Sequence, residues 1–149
     1  MYNARLTKGD CYLVRTEVIR KRLNKVDEYL RILYTLQAYS LAEFLSEPER
    51  YGSAERFLYL SIEALLDIGN HIIADLALGT VNCYSDIPAI LAENGYMDAE
   101  LQELWIQMIG FHNILVHDCI AIDRQIVHAT LQHNLKDLEA LQQVFAQFL

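Results

Sequence analysis

The sequence predicts an all-α fold, an antiparallel bundle of four long helices and one short one, in a single domain spanning residues 1–149. Three observations carry that expectation. Apolar residues recur at steps of three and four through most of the chain, which is the helical period. No stretch alternates with period two, and only six glycines and two prolines punctuate 149 residues. Neither an internal repeat nor a low-complexity tract interrupts the pattern.

The first helix rests on Ile19, Leu23, Val26, Leu30 and Leu33, one apolar stripe on a helix of roughly residues 11–45. The stretch SEPERYGSAER, with Pro48 and Gly52, ends it, and Ser53 caps the next. That second helix carries Phe57, Leu58, Ile62, Leu65, Ile68 and Ile72, to about Leu78. Asp86 and Pro88 mark the first turn of a short helix ending at Asn94-Gly95. Asp98 then caps a helix with Leu101, Leu104, Trp105, Met108 and Leu115. After the apolar bridge CIAI, Asp123 caps a last helix through Val127, Leu131, Leu135, Leu138, Phe145 and Leu149. Short connections between long helices make sequential neighbours antiparallel.

An apolar content of 53% excludes a disordered chain. No unbroken run of 18 apolar residues occurs, and MYNARLTKGD lacks the apolar core of a signal peptide, so a cytoplasmic protein with no membrane contact is expected. Cys11, Cys83 and Cys119 are odd in number and far apart, which fits buried or half-buried thiols rather than a disulfide framework. The formal charge of −8 is uneven: residues 1–31 net +4 and the remainder −12. An acidic body argues against general nucleic-acid binding, although a basic face on the first helix can meet phosphates.

The stretch GFHNILVHDCIAID, Gly110 to Asp123, concentrates the reactive groups. Asn113 and His117 are four apart and share a helix face, whereas His112 and His117 are five apart, about 140° around the helix. Imidazoles and an amide so placed can bind a phosphodiester and move protons. His112, His117 and Cys119 also have the donor types for zinc. Helical zinc pairs, however, are usually spaced by four with an acidic base, so no metal site is expected. On spacing alone a bland reading stands beside these: His117 closes the helix on its last carbonyls and His112 lies on a wet face. Asp67, Asn70 and His71 on the second helix line a cleft opposite the motif or form a polar seam between helices. Trp105, Phe111 and the tyrosines read as core and interface.

The motif resembles the signature of HepT-like proteins, a branch of the HEPN ribonuclease superfamily. That signature is Arg-Asn, three variable residues, His, one variable residue and Tyr, usually after an apolar-Gly-Phe step. Gly110-Phe111, Asn113, His117 and Ile122-Asp123 fit it, and ERFLYLSIEALLDIGNHII (Glu55 to Ile73), with Asp67, Asn70 and His71, resembles the family's second helix. The resemblance implies a HEPN-like helical homodimer whose two motif helices share one cleft. It further implies a metal-independent, cofactor-free endo- or exoribonuclease toxin acting on mRNA or tRNA. The implied partner is a minimal nucleotidyltransferase (MNT) antitoxin, which transfers AMP to the motif tyrosine.

Within that resemblance His117 is the proton carrier, and Asn113 orients the phosphate or the imidazole. The sequence departs from the signature twice: His112 stands at the arginine position and Cys119 at the tyrosine position. An imidazole is mostly uncharged above neutral pH and cannot form the bidentate guanidinium fork, so attenuated activity is expected. A thiol lacks the phenol that accepts AMP. The chain then reads either as a degenerate homologue or as a toxin disarmed for expression in a host. The competing function is a non-catalytic helical dimer that presents a substrate to a nucleotidyltransferase.

Overall fold

The longest helix, α3 (Pro48–Asp75), has too wide an apolar face for a surface helix, and it forms the axis of the bundle. Ala54, Leu58, Ile62, Leu65, Leu66, Ile68, Gly69, Ile72 and Ile73 are all buried along it. The structure, a computed structural model, describes residues 14–117 and 122–149. Around α3 lie α1 (Thr16–Gln37), α2 (Leu41–Ser46), α4 (Asp86–Glu93), α5 (Ala99–His117), α6 (Arg124–His133) and α7 (Leu135–Ala146). The described residues contain no strand. α1 packs along α3 through its predicted stripe, with Ile19, Val26 and Leu33 fully enclosed. Trp105 of α5 packs edge-on to Phe145 of α7, closing the core at the centre of the bundle.

The class is as expected, but the described helices number seven rather than five. The first helix ends at Gln37, not near residue 45, because Ser40 and Glu43 form a reciprocal capping box that starts α2. Ser40 Oγ accepts from the Glu43 amide at 3.2 Å, and the Glu43 carboxylate accepts from the Ser40 amide at 3.1 Å. Pro48 opens α3 instead of breaking it, since a first-turn residue needs no N–H. Ser53 therefore lies inside the helix rather than capping it, as does Gly52, which has open space around it. The last helix divides at Asn134, whose side chain donates to Asp137 at 3.0 Å in the first turn of α7.

Asp98 and Asp123 do cap their helices, accepting from the amides of Leu101 and Gln125 at 2.8 and 2.9 Å. Gly95 ends α4 with φ of 79°, a left-handed turn that glycine adopts without strain. Gly69 serves packing instead: a Cβ there would stand 2.5 Å from Ile87 of α4 and 2.9 Å from Trp105 of α5. α3 is long and apolar enough to cross a membrane by length and composition, although it holds no unbroken run of 18 apolar residues. Half of that stretch is buried inside the bundle, which accounts for its composition. Cys83 is exposed, contrary to the expectation of a buried or half-buried thiol, while Cys11 and Cys119 lie outside the described residues.

Candidate functional site

Glu55, Tyr59, Glu63 and Asp67 follow one another at steps of four on α3, and Asn70 continues that polar line toward its C-terminal end. Two of these side chains meet the motif helix α5, and two line a groove beside it. His112 is where the sequence reading needs correction. Neither on a wet face nor open to a phosphate, it is 3% exposed and enclosed between α3 and the connector before α4.

The His112 ring makes three defined contacts. Its Nε2 lies 2.7 Å from Oε2 of Glu63. It stacks on Tyr59, with centroids 5.0 Å apart and planes 10° from parallel, and Tyr84 approaches it edge-on at 5.7 Å. Because a carboxylate only accepts, Nε2 carries the proton in that bond. The second nitrogen, Nδ1, is buried without a partner. The cause is helical geometry: about 100° per residue turns position 112 inward when Asn113 and His117 turn outward.

Asn113 and His117 are both exposed, four residues or about 6 Å apart along α5, and His117 is its last residue. Asn113 lines an open groove of about 690 Å³ between α3, the connector and α5. Asp67 and Asn70 of α3 line the same groove. His71 points elsewhere: its Nδ1 meets Nη2 of Arg15 at 3.0 Å. Arg15 also binds Asp75, tying the start of α1 to the end of α3, so this part of the line is a polar seam.

The groove wall before α4 is held by Asp86. Its carboxylate accepts the amides of Asn82 and Cys83 at 2.8 and 3.0 Å, which holds its pKa below the ordinary aspartate range. Asp86 thus organises the turn behind it, not only the helix ahead. Tyr84 projects from that turn with 43% exposure. The nearby charge of Glu63, then burial, Asp67 and Tyr59 push its phenol up, so it stays neutral. A second concavity, of about 380 Å³, is lined by Glu55, Arg56, Tyr59, Leu115, Val116 and Ile122.

Part of the basic face expected on α1 is paired with carboxylates. Lys21 pairs with Glu17, Lys25 with Glu28, Arg15 with Asp75, and Arg22 lies 3.4 Å from Asp67 at the groove. Among the described residues no three His, Cys, Asp or Glu side chains gather as a metal site. Sequence reasoning missed Tyr59, Glu63 and Tyr84. The step-of-four polar line through α3 was the available signal for the first two, whereas Tyr84 lies on an irregular turn with no periodicity.

Residues 19–144 match the family model described as Ribonuclease HepT-like. The chain belongs to the ribonuclease HepT-like family. The mRNA nuclease HepT of Shewanella oneidensis is 36% identical over 77 residues, 52% of this chain and 58% of that protein. The match therefore spans little more than half the length of that relative. The tRNA nuclease HepT of Aphanizomenon flos-aquae is 30% identical over 121 residues, 80% of this chain and 81% of that one. The solved structure of the tri-AMPylated Shewanella oneidensis HEPN toxin in complex with MNT antitoxin is similar at a TM-score of 0.80 and 25% identity. That similarity covers 87% of this chain and 97% of the solved one. The HepT-like fold thus accounts for nearly all the described helices, including both that carry the motifs.

Proposed function

We propose that this chain is the toxin component of a HEPN/MNT toxin–antitoxin pair. In this reading it is a metal-independent ribonuclease of the cytoplasm, cleaving mRNA or tRNA as a homodimer, and weakened in this sequence. The observation that carries it is the exposed pair Asn113 and His117 on one face of α5, beside a groove that also holds Asp67 and Asn70. RNA supplies its own nucleophile, the 2′-hydroxyl, which attacks phosphorus as the bond to the 5′-oxygen breaks. His117 moves protons at these oxygens, an effect worth roughly 10²–10⁴-fold. Asn113 orients the phosphate.

The missing element is a permanent cation on the developing phosphorane charge. Loss of one such stabilising donor commonly lowers rate by about 10²–10³. His112, held by Glu63 inside the wall, offers no guanidinium fork there. That enclosure also favours the second reading, a non-catalytic helical dimer that partners a nucleotidyltransferase. Cys119 removes the phenol to which AMP is transferred, so an MNT antitoxin restrains this chain by binding rather than by AMP transfer at that position.

The test is His112→Arg expressed under tight control. Glu63 then faces a permanently charged guanidinium instead of an imidazole. Growth arrest and loss of intact mRNA or tRNA are expected, and adding His117→Ala should abolish both. Adding Cys119→Tyr should yield a mass gain of one or more AMP units when the antitoxin and ATP are present. A His112→Arg protein that folds, dimerises and leaves both RNA classes intact establishes the non-catalytic reading instead.

A further inference from the structure

We propose that the groove between α3, the connector and α5 seats one unstacked nucleobase of single-stranded RNA, stacked on Tyr84 and read by the amide of Asn70, with Asn113 left at the groove's edge for the phosphate. The inference rests on the ribonuclease reading and adds the form of its substrate.

Size comes first. A volume of about 690 Å³ falls in the range of ligand pockets, roughly 300–1,000 Å³, and is far too small for a duplex. The lining then matches a base more closely than a phosphate. Asn70 offers both a donor and an acceptor, as a base edge does. Asp67 is acceptor-only, repels phosphate and can accept N–H groups of a base. Ile106, Ile109 and Gly110 of α5 provide an apolar floor for a ring.

The stacking platform is preorganised. Tyr84 is 43% exposed, and its turn is fixed by the two amides bonded to Asp86 and by contact of Cys83 Sγ with Ser85 Oγ at 3.2 Å. Its ring is braced edge-on by His112, itself fixed by Glu63. The neutral phenol adds no charge to the groove. Arg22, paired with the groove residue Asp67 at 3.4 Å, is the cation nearest to hand for the phosphate flanking the base. Stacking and amide bonds, with one or two phosphate contacts, predict affinity that depends strongly on the base and weakly on salt.

The test uses uncleavable RNA, so that binding and cleavage are read separately. A short 2′-O-methyl oligonucleotide and its abasic counterpart carry the same phosphates. Both are titrated against the full chain by fluorescence anisotropy at several salt concentrations, with oligomeric state followed by light scattering. The base-bearing strand should bind at least tenfold tighter than the abasic one. Tyr84→Ala should weaken it roughly tenfold, and Tyr84→Phe should retain it. Asn70→Ala should weaken it without changing oligomeric state. Equal affinity for both strands, no binding of either, or no effect of Tyr84→Ala overturns the groove assignment. So does a change of oligomeric state in Tyr84→Ala, which would make the groove a contact between copies of the chain. If base-dependent binding through Tyr84 is found while His112→Arg cleaves nothing, the groove stands and the ribonuclease reading falls. Cleavage by His112→Arg that Tyr84→Ala leaves unchanged in KM does the reverse.

Discussion

Replacing Glu63 with alanine strips a buried ring nitrogen of its partner, and the structure sets the size of the effect. His112 is 3% exposed, its Nε2 meets Glu63 at 2.7 Å, and its Nδ1 has no partner to share the load. Without Glu63 the imidazole N–H is orphaned in the wall between α3 and α5. An unsatisfied buried polar group costs about 1–3 kcal/mol. Glu63 is itself 33% exposed, so water can reach part of the vacated space. That places the loss in the lower half of the range, about 1–2 kcal/mol. For a chain of this length it corresponds to a fall of roughly 2–8 °C in melting temperature. His112→Phe keeps the stack on Tyr59 and the edge contact with Tyr84, and leaves a carboxylate that water can solvate. It should therefore be close to neutral, and Glu63→Ala in the His112→Phe background should cost little more. Urea denaturation of the wild type, both single variants and the double variant closes the cycle, with unchanged m-values showing that the same transition is compared. The expected coupling is about 1 kcal/mol or more. Additivity within about 0.5 kcal/mol would show that the pair does not hold the motif helix to α3.

Gly69→Ala should destabilise the fold by about 1–3 kcal/mol, because its Cβ would collide with Ile87 and Trp105; a thermal melt within 1 °C of wild type, roughly the scatter of such a melt, would mean the helices yield freely. Stability should fall at both ends of the pH scale, read as urea midpoints. Asp86, held down by the Cys83 and Asn82 amides, contributes stability present above its unfolded pKa and lost as pH falls below about 4, so Asp86→Asn should flatten the acid limb. Asp75 acts in the same direction: burial pushes its carboxyl up, but the hydrogen bonds and charge of Arg15 more than reverse this. Tyr34, pushed up to about 12 by its bond to Glu139, contributes stability complete below its unfolded pKa of about 10 and lost as pH climbs from there. A homodimer should appear in light scattering at micromolar concentration, with roughly 1,600 Å² or more buried in total. Ile114→Asp, on the exposed face of α5, should shift it toward monomer. A wild-type monomer would remove the shared-cleft mechanism.

Periodicity alone determined the all-α class, the helix order and most of the core, because burial of an amphipathic stripe is a local requirement met again in every helix. The motif letters around Asn113 and His117 were equally legible, as four residues on a helix share a face whatever surrounds them. Helix ends were less so. The break at residues 38–40 depends on the Ser40–Glu43 box prevailing over a continuing helical pattern, and the division at Asn134 carries no proline or glycine to announce it. Tertiary structure alone decided the environment of His112. Spacing turned it away from His117 but could not say whether the far side was water or α3. The answer lies in Glu63, 49 residues earlier in the chain, and in Tyr84 on a turn that Asp86 helps to organise. Contacts between groups so distant in sequence are set by how helices cross, and no local pattern encodes that.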